Sequence, residues 1–591
     1  MMHVVATAGH VDHGKSTLVR RLTGMEPDRW AEERRRGMTI DLGFAWASLD
    51  SGERLAFVDV PGHERFIGNM LAGLGPSPAV LVVVAADEGW RTQSEEHLGA
   101  VDALGLRHGL LVVTRSDLAD PGPALAEARQ RVARSSLGEV EALAVSAQTG
   151  AGIEELRSAL RRLVARLPEP DQAARVRLWI DRSFTIAGAG TVVTGTLGEG
   201  TLCVGDELEL RGRRVRVRGL QALGEDYDMV PARARVAVNL RSVAPQDVHR
   251  GGVLLTPQAW HLTDQVDVDV HGVDVTGLPL DVMVHVGSGA WSARVRPLGG
   301  SFARLRLPEA LPLQAGDRLI VRDPGRRVVV AGATVLDADP PELARRGAAG
   351  RRAESLAIAD ARVDVAVEVD RRGAMLPREL AALGVGPSEL RADLAGVLRV
   401  GEWLVSERAW RQWQADLLAL VERRRQEHPM DPWVPMEQAR RHLGAPDLAV
   451  LREVAAAADL DTSEGRVSRP GTTPSLGPAE AGLRALEQQL ADSPFAAPER
   501  GQLDAWGLGA RQLAAAEAAG RVVRLVDDIV LLPTGPARAM RELARLEQPF
   551  TTSAARQALG TTRRVVIPLL EHLDARGWTR RTDPTHRQVV R

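Results

Sequence analysis

One lysine serves the whole of this 591-residue chain, whose other 74 basic residues are arginine, and it stands in the run Gly9-His10-Val11-Asp12-His13-Gly14-Lys15-Ser16-Thr17. The run follows the apolar stretch Val4 to Ala8 and opens onto Leu18-Val19-Arg20-Arg21-Leu22, so it sits where a strand turns into a helix. That is the setting a phosphate-binding loop requires. Gly9 and Gly14 let backbone N–H groups and the helix N-terminus face phosphate oxygens. Lys15 adds a compact positive charge and Ser16 a hydroxyl for Mg²⁺. A planar guanidinium fits such a cradle poorly, which explains why the lysine stands here alone.

Further residues complete a nucleotide site. Asp59-Val60-Pro61-Gly62-His63 ends a second apolar run, where Asp59 can reach the metal shell and Gly62 can bring its N–H to a γ-phosphate. Thr39, in Gly37-Met38-Thr39-Ile40, offers a second hydroxyl for Mg²⁺ once a loop closes over the nucleotide. Thr114-Arg115-Ser116-Asp117 departs from the usual Asn-Lys-x-Asp, so guanine preference rests mainly on Asp117, with Ser146-Ala147 as a supporting backbone loop. Read from residues alone, Asp117 has helix capping as a minor alternative, and His63 could equally be a surface residue. The ligands implied are GTP or GDP with Mg²⁺.

The elements that must position these groups follow from the pattern. Apolar strands at Val4–Ala8, Leu55–Val60, Ala79–Ala85, Leu110–Thr114 and Ala142–Val145 alternate with helical segments, which predicts a mostly parallel α/β sheet over residues 1–168. Leu167-Pro168-Glu169-Pro170 ends the last helix. Beyond it, short β-rich runs punctuated by glycine predict two small antiparallel barrels, over 172–260 and 261–341. Helices then return, in four series that each end in a paired-strand signal: Val397–Ser406, Leu460–Arg469, Arg521–Leu532 and Trp578–Val590. Their starts lie 63, 61 and 57 residues apart. A few helices and a β-wing describe a winged helix, so four tandem winged-helix modules are expected at 342–408, 409–475, 476–535 and 536–591.

Composition limits the function classes. A single cysteine, Cys203, excludes an internal disulfide framework and points to a reducing compartment; its alternating apolar surroundings predict a buried small hydrophobe. The first strand starts too early to leave room for a signal peptide, and no apolar run is long enough for a bilayer, so a cytoplasmic chain without membrane contact, a monomer, is expected. Net charge is −2, yet residues 536–591 carry eleven arginines against five acids. Arg556, Arg563 and Arg564 lie near the start of the last helix, and Arg580 and Arg581 enter the last wing. Such groups suit phosphate and base-edge contacts on an RNA hairpin loop, although a basic run can also be only a solvated face.

At this point the motifs resemble the translational GTPases of the elongation factor Tu type. GHVDHGKST and DVPGH are shared by that broad group, whereas RGMTIDLGF, Arg36 to Phe44, resembles the SelB family of selenocysteine-specific elongation factors. The resemblance implies that His63 positions the attacking water, that Asp59 acts through the metal shell, and that Val11 and Ile40 gate His63 until the ribosome reorders the site. DRSFTIAGAGTVVTGTL, Asp181 to Leu197, resembles the second domain of these factors. It implies a selenocysteyl pocket at Asp181, Arg182 and Arg235, where arginines favour a selenolate over a neutral serine hydroxyl. From the residues alone, both arginines would be solvated strand ends. LGTTRRVVIPLLEHLDARGWTRR, Leu559 to Arg581, resembles the last winged helix of the family, which grips the selenocysteine insertion hairpin of the mRNA. The implied partners are selenocysteyl-tRNA, that hairpin and the ribosome. The alternatives are another tRNA-handling translational GTPase, a GTP-sensing RNA-binding regulator, or a GTP-coupled sulfate-activating subunit with the same core.

Overall fold

A computed structural model describes residues 2–27, 41–49, 52–63, 66–186, 190–326, 328–473, 475–526 and 529–590. The chain divides into two compact units, Met1–Glu368 with Met375–Leu394, and Val369–Ala374 with Ala395–Arg591. The division falls inside the expected 342–408 module, whose helices Pro377–Leu383 and Pro387–Arg391 go with the first unit.

The first domain is the expected α/β sheet. Its strands are β1 (Met2–Ala8), β2 (Gly43–Ser48), β3 (Arg54–Asp59), β4 (Ala79–Ala85), β5 (Gly109–Thr114) and β6 (Glu141–Ala144), in the order β2-β3-β1-β4-β5-β6. All neighbours pair in parallel except β2 with β3. Strand β2 was absent from the sequence expectation, because Gly43 and Phe44 were read as part of a motif and not as the start of an edge strand. Helices α1 (Lys15–Thr23), α2 (Ile67–Leu74), α3 (Thr92–Ala103), α4 (Gly122–Val132) and α5 (Ile153–Ala165) cover both faces. Every residue of β4 is buried, as a central parallel strand covered on both sides demands. On β1 the pleat sends Val4 and Ala6 into one core layer and Val5 into the other.

Two β domains follow in the first unit. In the second domain the strand Glu207–Leu210 pairs with both Val253–Leu255 and Arg213–Ala222, returning a seven-stranded sheet on itself. The third domain is a closed six-stranded barrel, from Thr263–His271 to Val329–Asp337. Cys203 departs from expectation: it ends the short strand Thr201–Cys203 and is half-exposed, because that strand pairs only with Met229–Pro231 outside the main sheet.

In the second unit each of the four expected paired-strand signals forms a hairpin. Hairpins join Val397–Val400 to Trp403–Ser406, Asp461–Ser463 to Arg466–Ser468, Val523–Arg524 to Val530–Leu531, and Thr579–Arg581 to His586–Val589. In the last wing the Asp583 carboxylate accepts from the backbone N–H of Thr585 at 2.7 Å and of His586 at 2.9 Å, which closes the turn and holds that carboxyl well below its ordinary range. One apolar cluster, with Leu483, Ile529, Phe550, Val566 and Leu570, runs through both 476–535 and 536–591. These two modules therefore share a core.

Candidate functional site

The phosphate loop is held from all sides. Gly14 takes φ 78° just before α1, a conformation that costs glycine nothing and starts the helix with its N–H groups facing the loop. Lys15 is 6% exposed, and its ammonium donates to the carbonyls of Gly9 at 2.9 Å and His10 at 2.8 Å. Gly9 lies so close to β4 that a Cβ there would be 2.2 Å from the Val83 carbonyl oxygen. His13 is buried against the same carbonyl at 3.3 Å, and burial pushes its imidazole down to about 4. Val11 is half-buried, while Asp12 and Thr17 are exposed.

Strand β3 delivers its carboxylate to this loop. Asp59 is fully buried and accepts from Thr7 Oγ1 at 2.7 Å and Ser16 Oγ at 2.6 Å. Burial raises the Asp59 carboxyl, while Lys15, Ser16 and Thr7 act in the opposite direction. Gly62 packs directly on the loop: a Cβ there would lie 2.5 Å from Val11 N and 2.7 Å from Lys15 Nζ. His63 is half-buried, its ring 6.0 Å from that of Phe66. Thr39 and Ile40 lie outside the described residues. Among the described residues no group of three or more His, Cys, Asp and Glu is set to hold a metal by itself. A hydroxyl facing a carboxylate is the hard-oxygen donor set of a Mg²⁺ that keeps water and phosphate ligands.

The unusual Thr114-Arg115 pair braces the loop. Thr114 Oγ1 donates to the His13 carbonyl at 2.7 Å, and Arg115 donates to the Asp12 carbonyl while pairing with Asp87 at 2.9 Å and Glu88 at 3.0 Å. Arg115 adopts φ 56° to do so. Asp117 remains exposed beside them, and Ser116 N donates to the Val145 carbonyl at 3.2 Å, which brings Ser146 and Ala147 alongside. Thr114 and Arg115 thus brace the loop, and Asp117 keeps an exposed carboxylate beside them.

Two functional contacts escaped the sequence. His97 on α3, 4% exposed, accepts the Gly9 N–H on Nδ1 at 3.0 Å and is also hydrogen-bonded to the backbone of Gly62. Burial is the main cause of its depression to about 3, with Lys15 next, so it stays neutral and bridges the phosphate loop to the segment after β3. From the same helix Gln93 Oε1 accepts from Val11 N at 3.2 Å. Only a histidine four residues after a glutamine hinted at this face, and nothing in the sequence tied it to the loop.

The second domain brings its three expected residues together. Arg235 chelates the Asp181 carboxylate, with Nη2 2.7 Å from Oδ1, and Thr194 Oγ1 donates to the same oxygen at 2.7 Å. The Arg235 guanidinium lies 3.9 Å above the Phe44 ring, and that of Arg182 lies 5.1 Å from it. Arg182 pairs with Asp41, Nη2 to Oδ2 at 2.7 Å, and donates to the Leu42 carbonyl. Nearby, Arg250 donates to the Gly68 carbonyl at 3.3 Å and to Asn69 Oδ1 at the start of α2.

The five C-terminal arginines separate into two classes. Arg563, Arg564, Arg580 and Arg581 are exposed on the last helix and wing, and Arg556 is half-buried. Arg564 also donates to the carbonyls of Ala497 at 2.8 Å and Pro498 at 3.0 Å, and the neighbouring Thr561 hydroxyl donates to the Phe495 carbonyl. It acts as a strut between the last two modules.

Comparison with known proteins agrees with this geometry. The profile of the elongation factor Tu GTP binding domain matches residues 2–166, that of the selenocysteine-specific elongation factor β-barrel domain residues 279–342, and that of the elongation factor SelB winged helix residues 541–588. The selenocysteine-specific elongation factor of Desulfomicrobium baculatum is 38% identical over 351 residues, 56% of this chain and 55% of the relative. This alignment spans about half of that relative's length. The factor of the same name from Escherichia coli strain K12 is 31% identical over 614 residues, 99% of this chain and 98% of the relative. A crystal structure of a bacterial selenocysteine-specific elongation factor, EF-Sec, superposes with a TM-score of 0.73 at 25% identity, over 100% of both chains. With a GTPase loop of this construction, barrels behind it and a matching winged terminus, the chain belongs to the selenocysteine-specific elongation factors, the SelB family.

Proposed function

We propose that this GTPase delivers selenocysteyl-tRNA to the ribosomal A site at UGA codons marked by an mRNA hairpin, and hydrolyses GTP on release. The observation that carries the reading is the convergence of Arg182 and Arg235 on Phe44, with Asp181 chelating Arg235, in a chain of this family. A selenol is largely anionic at neutral pH while serine's hydroxyl is not, so a guanidinium on an aromatic floor distinguishes the two by a charge-assisted contact.

In the GTPase domain, Lys15 and the loop N–H groups neutralise the β- and γ-phosphates, and Asp117 with the Ser146-Ala147 loop reads guanine. Ser16, Thr39 and Asp59 would hold Mg²⁺, which adds positive charge between the phosphates when bound. Gly62 presents its N–H toward the γ-phosphate, and His63 positions the attacking water, gated by Val11 and Ile40. Phosphoryl transfer to water needs positioning and charge neutralisation, so intrinsic turnover is slow and the ribosome accelerates it. Arg556, Arg563, Arg564, Arg580 and Arg581 contact the hairpin, the third domain holds the tRNA body, and the protein works in the cytoplasm as a monomer.

Competition between selenocysteyl-tRNA and seryl-tRNA for the GTP-loaded chain tests this reading. Preference for the selenocysteyl form supports it, and equal affinity overturns it.

A further inference from the structure

We propose that Asp41 couples the nucleotide site to the cargo pocket: its carboxylate occupies the Arg182 guanidinium in place of the cargo's anionic side chain, and the nucleotide sets how firmly it does so. This rests on reading the pocket as the selenocysteyl site.

The two pocket arginines differ in kind. Arg235 is chelated by Asp181, and this pair, with side chains 12% and 3% exposed, is built into the barrel wall with Thr194. Arg182 is held by the GTPase domain instead. Its Nε donates to Asp41 Oδ2 at 3.0 Å, its Nη2 lies 2.7 Å from the same oxygen, and it donates to the Leu42 carbonyl. That pair is 22% and 27% exposed, so water and an incoming anion can reach it. Arg182 therefore has two alternative anions, Asp41 or a selenolate, and these define two states of one side chain. A neutral serine hydroxyl is a weak competitor for a guanidinium already bound to carboxylate.

Asp41 is also joined through the backbone to the phosphate loop. Two residues on, Gly43 is the register partner of Asp59, and a Cβ on Gly43 would be 3.1 Å from the Asp59 Cβ. Asp59 in turn binds Ser16 of the phosphate loop. The sequence of contacts Ser16, Asp59, Gly43, Asp41, Arg182 is short and tightly packed. A displacement of Asp59 is transmitted along the strand start and changes the hold on Arg182. Phe44, on the same strand, is the floor under both arginines.

The test is equilibrium binding of selenocysteyl-tRNA to the full chain loaded with GDP or with a nonhydrolysable GTP analogue. Asp41→Asn is expected to raise the GDP-form affinity about tenfold, narrowing the gap between the two forms, the size of a typical coupling. Asp41→Glu, which keeps the anion, is expected to retain the parent gap. A GDP-form affinity that stays the same or falls in Asp41→Asn overturns the coupling. Arg182→Ala separates the two claims: loss of selenocysteyl preference there with no gain in Asp41→Asn rejects the coupling alone. A preference that survives Arg182→Ala rejects the pocket reading, and this inference with it.

Discussion

Gly62 and Lys15 are in van der Waals contact range, so close that a methyl on Gly62 would lie 2.7 Å from the lysine ammonium. Position 62 can therefore hold nothing larger than glycine while the loop keeps its form. Gly62→Ala is expected to slow ribosome-stimulated GTP hydrolysis by at least about tenfold, equivalent to ~1.4 kcal/mol of barrier. Single-turnover phosphate release measures it, and an unchanged rate counts against the packing.

Lys15 is the chain's sole ammonium, buried among loop carbonyls. Lys15→Ala removes the point charge from the phosphate cradle, and calorimetric titration should show GTP affinity lowered by about ten- to a hundredfold, the scale of a lost buried charge-assisted contact at ~1.5–3 kcal/mol. Binding at parental strength would show that the phosphates sit elsewhere.

Three buried histidines set a pH dependence. His13 and His285 are depressed to about 4 and His97 to about 3, each chiefly by burial, from an ordinary 6.5. Because their folded values lie below the unfolded one, the unfolded chain gains protons that the folded chain refuses as pH drops below 6.5. Stability is fully present above that value and falls as pH decreases toward 4, by about 1.4 kcal/mol per pH unit for each histidine. Thermal melts between pH 7 and pH 5 should show the first transition moving down. His97→Ala, which orphans the buried Gly9 N–H, should reduce the slope while lowering stability at pH 7 by about 1–3 kcal/mol.

Arg235 and Arg182 should respond differently to truncation. Arg235→Ala leaves the buried Asp181 carboxylate without its cation and is expected to destabilise the fold by about 3–5 kcal/mol. Arg182→Ala, at a more exposed pair, should leave the melting temperature nearly unchanged while reducing selenocysteyl over seryl preference about tenfold or more, from a charge-assisted contact of ~1.5–3 kcal/mol. Melting curves and tRNA competition on both variants check the contrast.

At the C-terminus, Arg563→Ala should weaken hairpin RNA binding and reduce its salt slope by about 1 with no loss of stability. Arg564→Ala removes two bonds to the Ala497 and Pro498 carbonyls and should also lower the melting temperature of the second unit. Identical behaviour of the two variants in both assays would reject the separation into contact and strut.

The sequence by itself determined the phosphate loop, the alternation of β1, β3, β4, β5 and β6 with helices, and the cadence of the C-terminal hairpins. Each of these is written in local code: glycines at φ-demanding turns, apolar runs of strand length, and a lone lysine next to a hydroxyl. The groups at Asp59 and Asp117 were also legible, because a parallel sheet places strand ends on one edge. Tertiary structure alone decided what reaches across the chain. His97 meets Gly9 from 88 residues away, Arg182 meets Asp41 from 141 residues away, and Arg564 reaches Pro498 from 66. Such pairings depend on how separately encoded layers pack, and a guanidinium's partner is settled by distance and burial, which a linear pattern does not carry.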